Sequence, residues 1–301
     1  NMNNSTRNFK MKKLLIASTA LVATAGMASA DITISGHAAA GFHSGLDDVT
    51  TAASSNSTDV AADGVYSNAG VDFTMTGATD NGISFSASVN IDAGEEIDSG
   101  DFEYDGTDGG TAGLGAVSMT GTFGTLTFDN NGIDNLYDDG TNHDVSYATT
   151  LGAVGLTVAY DVTGGDNATS AQATYTAGGM AFTLTGSEAA AGTSTTLAVS
   201  YALNDTVTLS ADTDQAAGGE SVMTMGASTT LNGVSVSVSS ANNSTWDVDL
   251  GYTVGGFALT YGVDETDGWT ATATAALGGG ATFAAGVNDE DSMYAGVSFA
   301  F

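Results

Sequence analysis

A chain of 301 residues with 41 glycines, no proline and no cysteine is long enough for one large all-β domain or two smaller ones, and it excludes collagen, disulfide frameworks, thiolate nucleophiles and cysteine-based metal sites. Charge is divided by position. All four basic residues (Arg7, Lys10, Lys12 and Lys13) precede all 35 acidic ones, which begin at Asp31, so everything from Asp31 onward repels phosphate backbones and is unsuited to nucleic acid.

The first thirty residues read as an address. Lys12 and Lys13 lead into the apolar run 14–25, and Ala28-Ser29-Ala30 follows. A charged start, a hydrophobic run of this length and a small-residue site form a secretory signal of the Sec type, with cleavage before Asp31. The run is shorter than the ~20 residues a membrane-spanning helix needs. Met11 fits a natural start, which makes residues 1–10 an upstream extension.

From Asp31 a single code repeats. In 31–43, Ile32, Ile34, Ala38, Ala40 and Phe42 fall on one face, and Thr33, Ser35, His37 and His43 on the other. The same period of two recurs in Val71/Phe73/Met75, Ile83/Phe85/Ala87/Val89/Ile91, Val117/Met119, Leu126/Phe128 and Val154/Leu156/Val158/Tyr160. It continues through Leu197/Val199/Tyr201, Val234/Val236/Val238, Trp246/Val248/Leu250/Tyr252, Phe257/Leu259/Tyr261/Val263 and Phe283/Ala285/Val287. Such alternation predicts strands of roughly eight to eleven residues, about eighteen in all and about sixteen if the weakest merge. Tight turns such as Asn81-Gly82, Gly178-Gly179, Asn232-Gly233 and Gly255-Gly256 alternate with longer acidic stretches at 44–64, 93–112, 129–144, 212–220, 264–267 and 289–291. Short turns at one end and acidic loops at the other predict an up-and-down meander.

A water-soluble sandwich would bury the apolar face, whereas a transmembrane barrel turns it toward lipid and its Ser/Thr/Asp face toward a lumen. The strand length suits a tilted bilayer crossing. Phe42, Tyr160, Tyr201, Trp246, Tyr252, Tyr261, Trp269 and Phe301 sit near strand ends, where aromatic girdles belong. The last ten residues, 292–301, alternate with Met293, Ala295, Val297, Phe299 and Phe301 on one side. A strand at a chain end needs a partner, and pairing it with 31–43 closes the sheet without an edge. The fold class is therefore all-β: a transmembrane antiparallel up-and-down barrel of 16–18 strands over 31–301.

The first strand 31–36, the hairpin 71–85, the pair 117–128 and the terminal Phe301 make the chain resemble the α-proteobacterial, Rhodobacter-type general porins. The resemblance implies a homotrimer in outer-membrane lipid, a water-filled channel for small hydrophilic solutes, and Phe299 and Phe301 as a signal for outer-membrane assembly. It also implies that the loop at about 129–144 folds into the lumen as a constriction, and that the stretch around 93–112 latches onto a neighbouring subunit. Related constrictions set carboxylates against arginines; here Asp129, Asp134, Asp138, Asp139 and Asp144 face no arginine. A ring of such acids attracts cations, and the same residues read equally as solvated loop acids.

The run Asp98, Asp101, Glu103, Asp105 and Asp108 has the oxygen ligands of a Ca2+ or other divalent site, without the EF-hand register, and loose cation screening is the simpler reading. His37, His43 and His143 suit lumenal polar filler better than a metal site. No nucleophile-elbow, paired-carboxylate or phosphate-loop motif points to an enzyme or to a bound cofactor. The sequence thus predicts a non-enzymatic diffusion channel with a cation preference. An alternative from another class is a secreted or surface-attached acidic β protein, an adhesin with calcium-binding loops.

Overall fold

The computed structural model of the chain describes residues 31–49, 60–137, 142–163 and 168–301; residues 1–30, where the sequence predicts an export signal, lie outside them. Among the described residues the strands are β1 (Asp31–Ser44), β2 (Asp47–Asp48), β3 (Gly64–Ala78), β4 (Ser84–Asp98), β5 (Glu103–Gly121), β6 (Gly124–Asp134) and β7 (Asn142–Leu151). They continue with β8 (Val154–Tyr160), β9 (Thr169–Ala177), β10 (Met180–Ala189), β11 (Gly192–Ala202), β12 (Val207–Gln215) and β13 (Ser221–Leu231). The last are β14 (Val234–Ala241), β15 (Trp246–Val254), β16 (Phe257–Asp264), β17 (Trp269–Gly278), β18 (Ala281–Asn288) and β19 (Met293–Ala300). β2 is a two-residue segment inside the first connection. The other eighteen strands pair antiparallel with their neighbours around a closed barrel.

The alternation places the strands and the turns set their register. At one rim the connections 122–123, 152–153, 178–179, 232–233, 255–256 and 279–280 are two residues each. Asn232 and Gly233 take φ values of 53° and 85°, the left-handed pair that a twisted two-residue hairpin requires. Longer connections lie at the opposite rim, led by 45–63. Two stretches read as loops are largely strand: β4 and β5 fill most of 93–112, leaving the turn 99–102, and β6 and β7 fill most of 129–144, leaving 135–141.

Burial runs inside out. Phe42 is 70% exposed, Ile34 64% and Leu231 62% on the outer face, while Ser170 at 1% and Thr185 at 5% are buried within. An apolar exterior around a polar interior suits hydrocarbon and not water, so the secreted, water-soluble alternative does not survive. The described residues hold no helix long and apolar enough to cross a membrane; the crossing is made by strands.

The barrel closes where the terminal strand predicts. β19 pairs with β1 from His37↔Ala300 to Ser44↔Met293, and Phe301 exchanges backbone hydrogen bonds with Gly36 at 2.8 and 3.2 Å. Tyr66 of β3 locks this seam from inside by lying across β1 onto β19. A Cβ on Gly41 would fall 2.6 Å from its ring, and one on Gly296 2.0 Å from its hydroxyl. Two missing side chains therefore make room for one large one.

The β4–β5 hairpin leaves the wall. β5 is paired with β6 only from Val117↔Phe128 to Gly121↔Gly124, and register shifts at three points along β4–β5 bend the hairpin. Its tip residue Phe102, at φ 61°, packs 5.4 Å from the Tyr294 ring of β19 and joins Leu46 in a buried apolar cluster. The tip thus turns into its own barrel, which corrects the reading of 93–112 as a latch onto a neighbour. β2 runs beside the start of β5, Asp47↔Glu103 and Asp48↔Tyr104, and Ser292 Oγ donates to the Gly45 carbonyl at 2.7 Å. These contacts fasten the first connection over the same side of the mouth.

The seam yields a test. Gly296→Val places methyls where the Tyr66 hydroxyl and the Ala40 carbonyl stand, and overpacking of this kind costs about 2 kcal/mol. Guanidinium unfolding in micelles should show the lowered midpoint, and the double variant Gly296→Val/Tyr66→Ala should recover part of it, because the second change removes the clash.

Candidate pore constriction

The loop between β6 and β7 is anchored inside the barrel. Asn135 is buried and its Nδ2 donates to Ser187 Oγ of β10 at 3.1 Å. The Leu136 N–H donates to Ser170 Oγ of β9 at 3.1 Å, and the Tyr137 hydroxyl donates to Asp214 Oδ1 of β12 at 2.9 Å. Thr196 Oγ1 also donates to Asp214, through Oδ2, at 2.9 Å. Three successive loop residues thus reach lumenal side chains on three different strands, which holds the loop against the inner wall. Hydroxyl-to-carboxylate bonds are among the stronger neutral-donor contacts.

The predicted ring acids separate into different roles. Asp144 is buried, and its carboxylate accepts backbone N–H groups from Asn131 at 2.9 Å, Val162 at 2.7 Å and Thr163 at 2.9 Å. It ties β6 to the connection after β8. Asp129 sits on β6 with its carboxylate folded over the Gly132 backbone, where a Cβ would be 2.5 Å away. Asp134 is exposed at the end of β6, across from Asn142. Asp138 and Asp139 lie outside the described residues.

The hairpin acids also divide. Asp98 Oδ1 accepts the Gly100 N–H at 2.7 Å and the Asp101 N–H at 3.4 Å, an Asx turn that shapes the tip. Glu103, Asp105 and Asp108 follow on β5. No group of three or more His, Cys, Asp or Glu among the described residues has an arrangement that holds a metal ion. His43 is buried with its ring stacked on Tyr104 at 5.4 Å, and His143 is fully buried at the start of β7.

A second acidic region faces the lumen from β15 to β18. Asp247, Asp249, Asp264, Asp289 and Glu290, with Thr266, Thr270 and Asn288, line a cavity of about 370 Å³. Asp247 stands directly across the ladder from Asp264, a like-charge pairing that sheets avoid because the charges repel at close range. Asp249 also borders an adjoining recess of about 670 Å³ walled by Thr208, Ser228, Ser237, Gly251 and Thr260. An acidic upper wall therefore continues into a hydroxyl-lined lower one. These acids were not among the predicted site residues, although their phase marks them: Trp246, Val248 and Leu250 are the apolar outer face, which leaves Asp247 and Asp249 inside.

Comparison with known proteins agrees with this architecture. The sequence profile of the Gram-negative porin family matches residues 17–301. No individually curated protein matches the chain. An engineered variant of the Rh. blastica porin superposes with a TM-score of 0.52 at 14% identity, covering 90% of this chain and 100% of that one. A second Rh. blastica variant gives 0.51 with the same identity and coverage. Salmonella typhi OmpF, solved as a complex with daunomycin, gives 0.50 at 9% identity, covering 90% of this chain and 97% of its own. At such identities the solved structures speak for the fold alone, and the profile match over most of the chain carries the family. Its lipid-facing apolar exterior, its anchored inner loop and that match have one reading: the chain belongs to the Gram-negative porins.

Proposed function

We propose that the protein is a non-enzymatic diffusion channel of the outer membrane, of the Rhodobacter type, passing small hydrophilic solutes and preferring cations. One observation supports the preference above all. Lumenal carboxylates such as Asp247, opposite Asp264, stand in a segment, 31–301, that has no lysine or arginine to answer them. Carboxylates in a low-dielectric passage concentrate cations and exclude anions. Hairpin acids Asp98, Asp101, Glu103, Asp105 and Asp108 act in this reading as a diffuse screen for Ca2+ and other cations at the mouth.

Export by the signal at 1–30 and assembly as a homotrimer complete the reading. Phe299 and Phe301 serve assembly. Their rings stack at 6.4 Å, and Phe301 is 79% exposed, open to a recognising partner and to lipid. Asp129, Asp134, Asp138 and Asp139 are assigned to the cation-attracting stretch 129–144; Asp144 supports it by tying β6 to the connection after β8.

Planar-bilayer recording across a roughly tenfold KCl gradient should give a reversal potential of the cation-selective sign, and Asp247→Asn/Asp249→Asn should lower the permeability ratio about twofold. An anion-selective sign in the parent channel overturns the preference. Tyr137→Phe removes the donor to Asp214 and should raise open-channel noise as the loop loosens, with a net loss of about 1 kcal/mol at that contact. Deleting Phe301 should reduce the yield of assembled oligomer on unheated gels more than it alters the conductance of what assembles; normal yield removes the role assigned to it.

A further inference from the structure

Residues 31–301 contain no lysine or arginine, so the three histidines are the side chains there that can become cationic. His43 and His143 are buried, at 6% and 0% exposure, whereas the His37 side chain on the lumenal face of β1 keeps 43%. Its ring lies between two acids on two other strands. Nδ1 is 3.7 Å from Asp72 Oδ2 on β3, and Nε2 is 3.3 Å from Asp92 Oδ1 on β4.

Gly70 makes this span possible. It is the cross-strand partner of His37 on one side and of Asp92 on the other. A Cβ there would fall 1.9 Å from Asp92 Oδ1 and 2.3 Å from the imidazole Cε1. Asp92 Oδ2 accepts from Asn90 Nδ2 at 2.6 Å, while Oδ1 is buried without a hydrogen-bond donor. A neutral imidazole donates from one nitrogen only, and the imidazolium donates from both. Only the protonated ring can serve Asp72 and Asp92 together.

β3 presents Asp72, and β4 presents Asp92 and, farther along, Glu96, with Asp105 and Asp108 on the paired strand β5. On β19 the cross-strand partner is Ala300, which carries no charge. Its same-face neighbours on β1, Ser35 and Ala39, carry no charge.

We infer that His37 is a selectivity-determining residue of this channel, a switchable counter-charge for Asp72 and Asp92; this rests on the cation preference proposed above. When the imidazole is neutral, both carboxylates face the lumen uncompensated and favour cations. On protonation one positive charge is added between them, and the preference weakens. The direction is therefore a cation preference that falls as the imidazole takes up a proton.

Reversal potentials of the reassembled full barrel, recorded across a KCl gradient from about pH 8 to about pH 5.5, test this. The wild-type permeability ratio should fall about twofold over that interval, and His37→Gln should abolish the fall. Gly70→Ala, which drives the ring away from Asp92, should reduce it. In case a variant does not assemble, diethyl pyrocarbonate on the assembled wild-type barrel, with the modified residue located by mass spectrometry, should also remove the pH response. A His37→Gln channel, or one acylated at His37, that keeps the wild-type fall overturns the role of His37. A wild-type channel without cation preference at about pH 8 instead overturns the reading on which it rests, and a fall that is lost in His37→Gln still separates the two.

Discussion

Within hydrocarbon, each backbone N–H and C=O must find its partner inside the protein, because no water is there to replace it. A sheet satisfies this only by closing, and closing demands that the first and last strands meet in register. Here the register runs from His37↔Ala300 to Ser44↔Met293, and the lumenal lock of Tyr66 over Gly41 and Gly296 holds the join from within. Much else follows from closure. The polar face becomes a lumen, the apolar face becomes the lipid contact, and inner-wall glycines become the places where a neighbour's side chain can lie flat.

The inward elements are held without salt bridges to lysine or arginine, since 31–301 has neither. One inward element, the β4–β5 hairpin with the first connection, is fastened by apolar contact among Leu46, Phe102 and Tyr294. The other, the β6–β7 loop, is fastened by amide and hydroxyl bonds from Asn135, Leu136 and Tyr137 to β10, β9 and β12. Neutral contacts hold these elements in place, and the acids of the β15–β18 wall have no lysine or arginine beside them.

The strand pattern and the closing pair were legible because both depend on local alternation, which a period of two exposes directly. The inversion was legible too, from strand length and aromatics at strand ends. The inward hairpin was not. Gly94, Gly106, Gly109 and Gly110, set among acids, look like a loop, and only contact with Tyr294, nearly two hundred residues away by the numbering, decides that Phe102 turns inward. Asp144 illustrates the same limit. Its neighbourhood of acids suggests an open ring, but three backbone N–H groups, one on β6 and two after β8, claim its carboxylate. By contrast Asp247 and Asp249 were readable from phase alone, as the residues between Trp246, Val248 and Leu250.

Uncompensated charge also bears on the setting in which such a barrel is most at ease. Repulsion between exposed acids reaches about 10 Å at 0.1 M salt and about 3 Å at 1 M, so added salt relieves Asp247 against Asp264 and the hairpin acids alike. Salt weakens ion pairs in most proteins as well, and the two effects offset each other. In 31–301 no pair involves lysine or arginine, and the apolar and hydroxyl contacts that place the inward elements do not depend on screening. High salt therefore removes a cost from this structure while taking little from what holds it together.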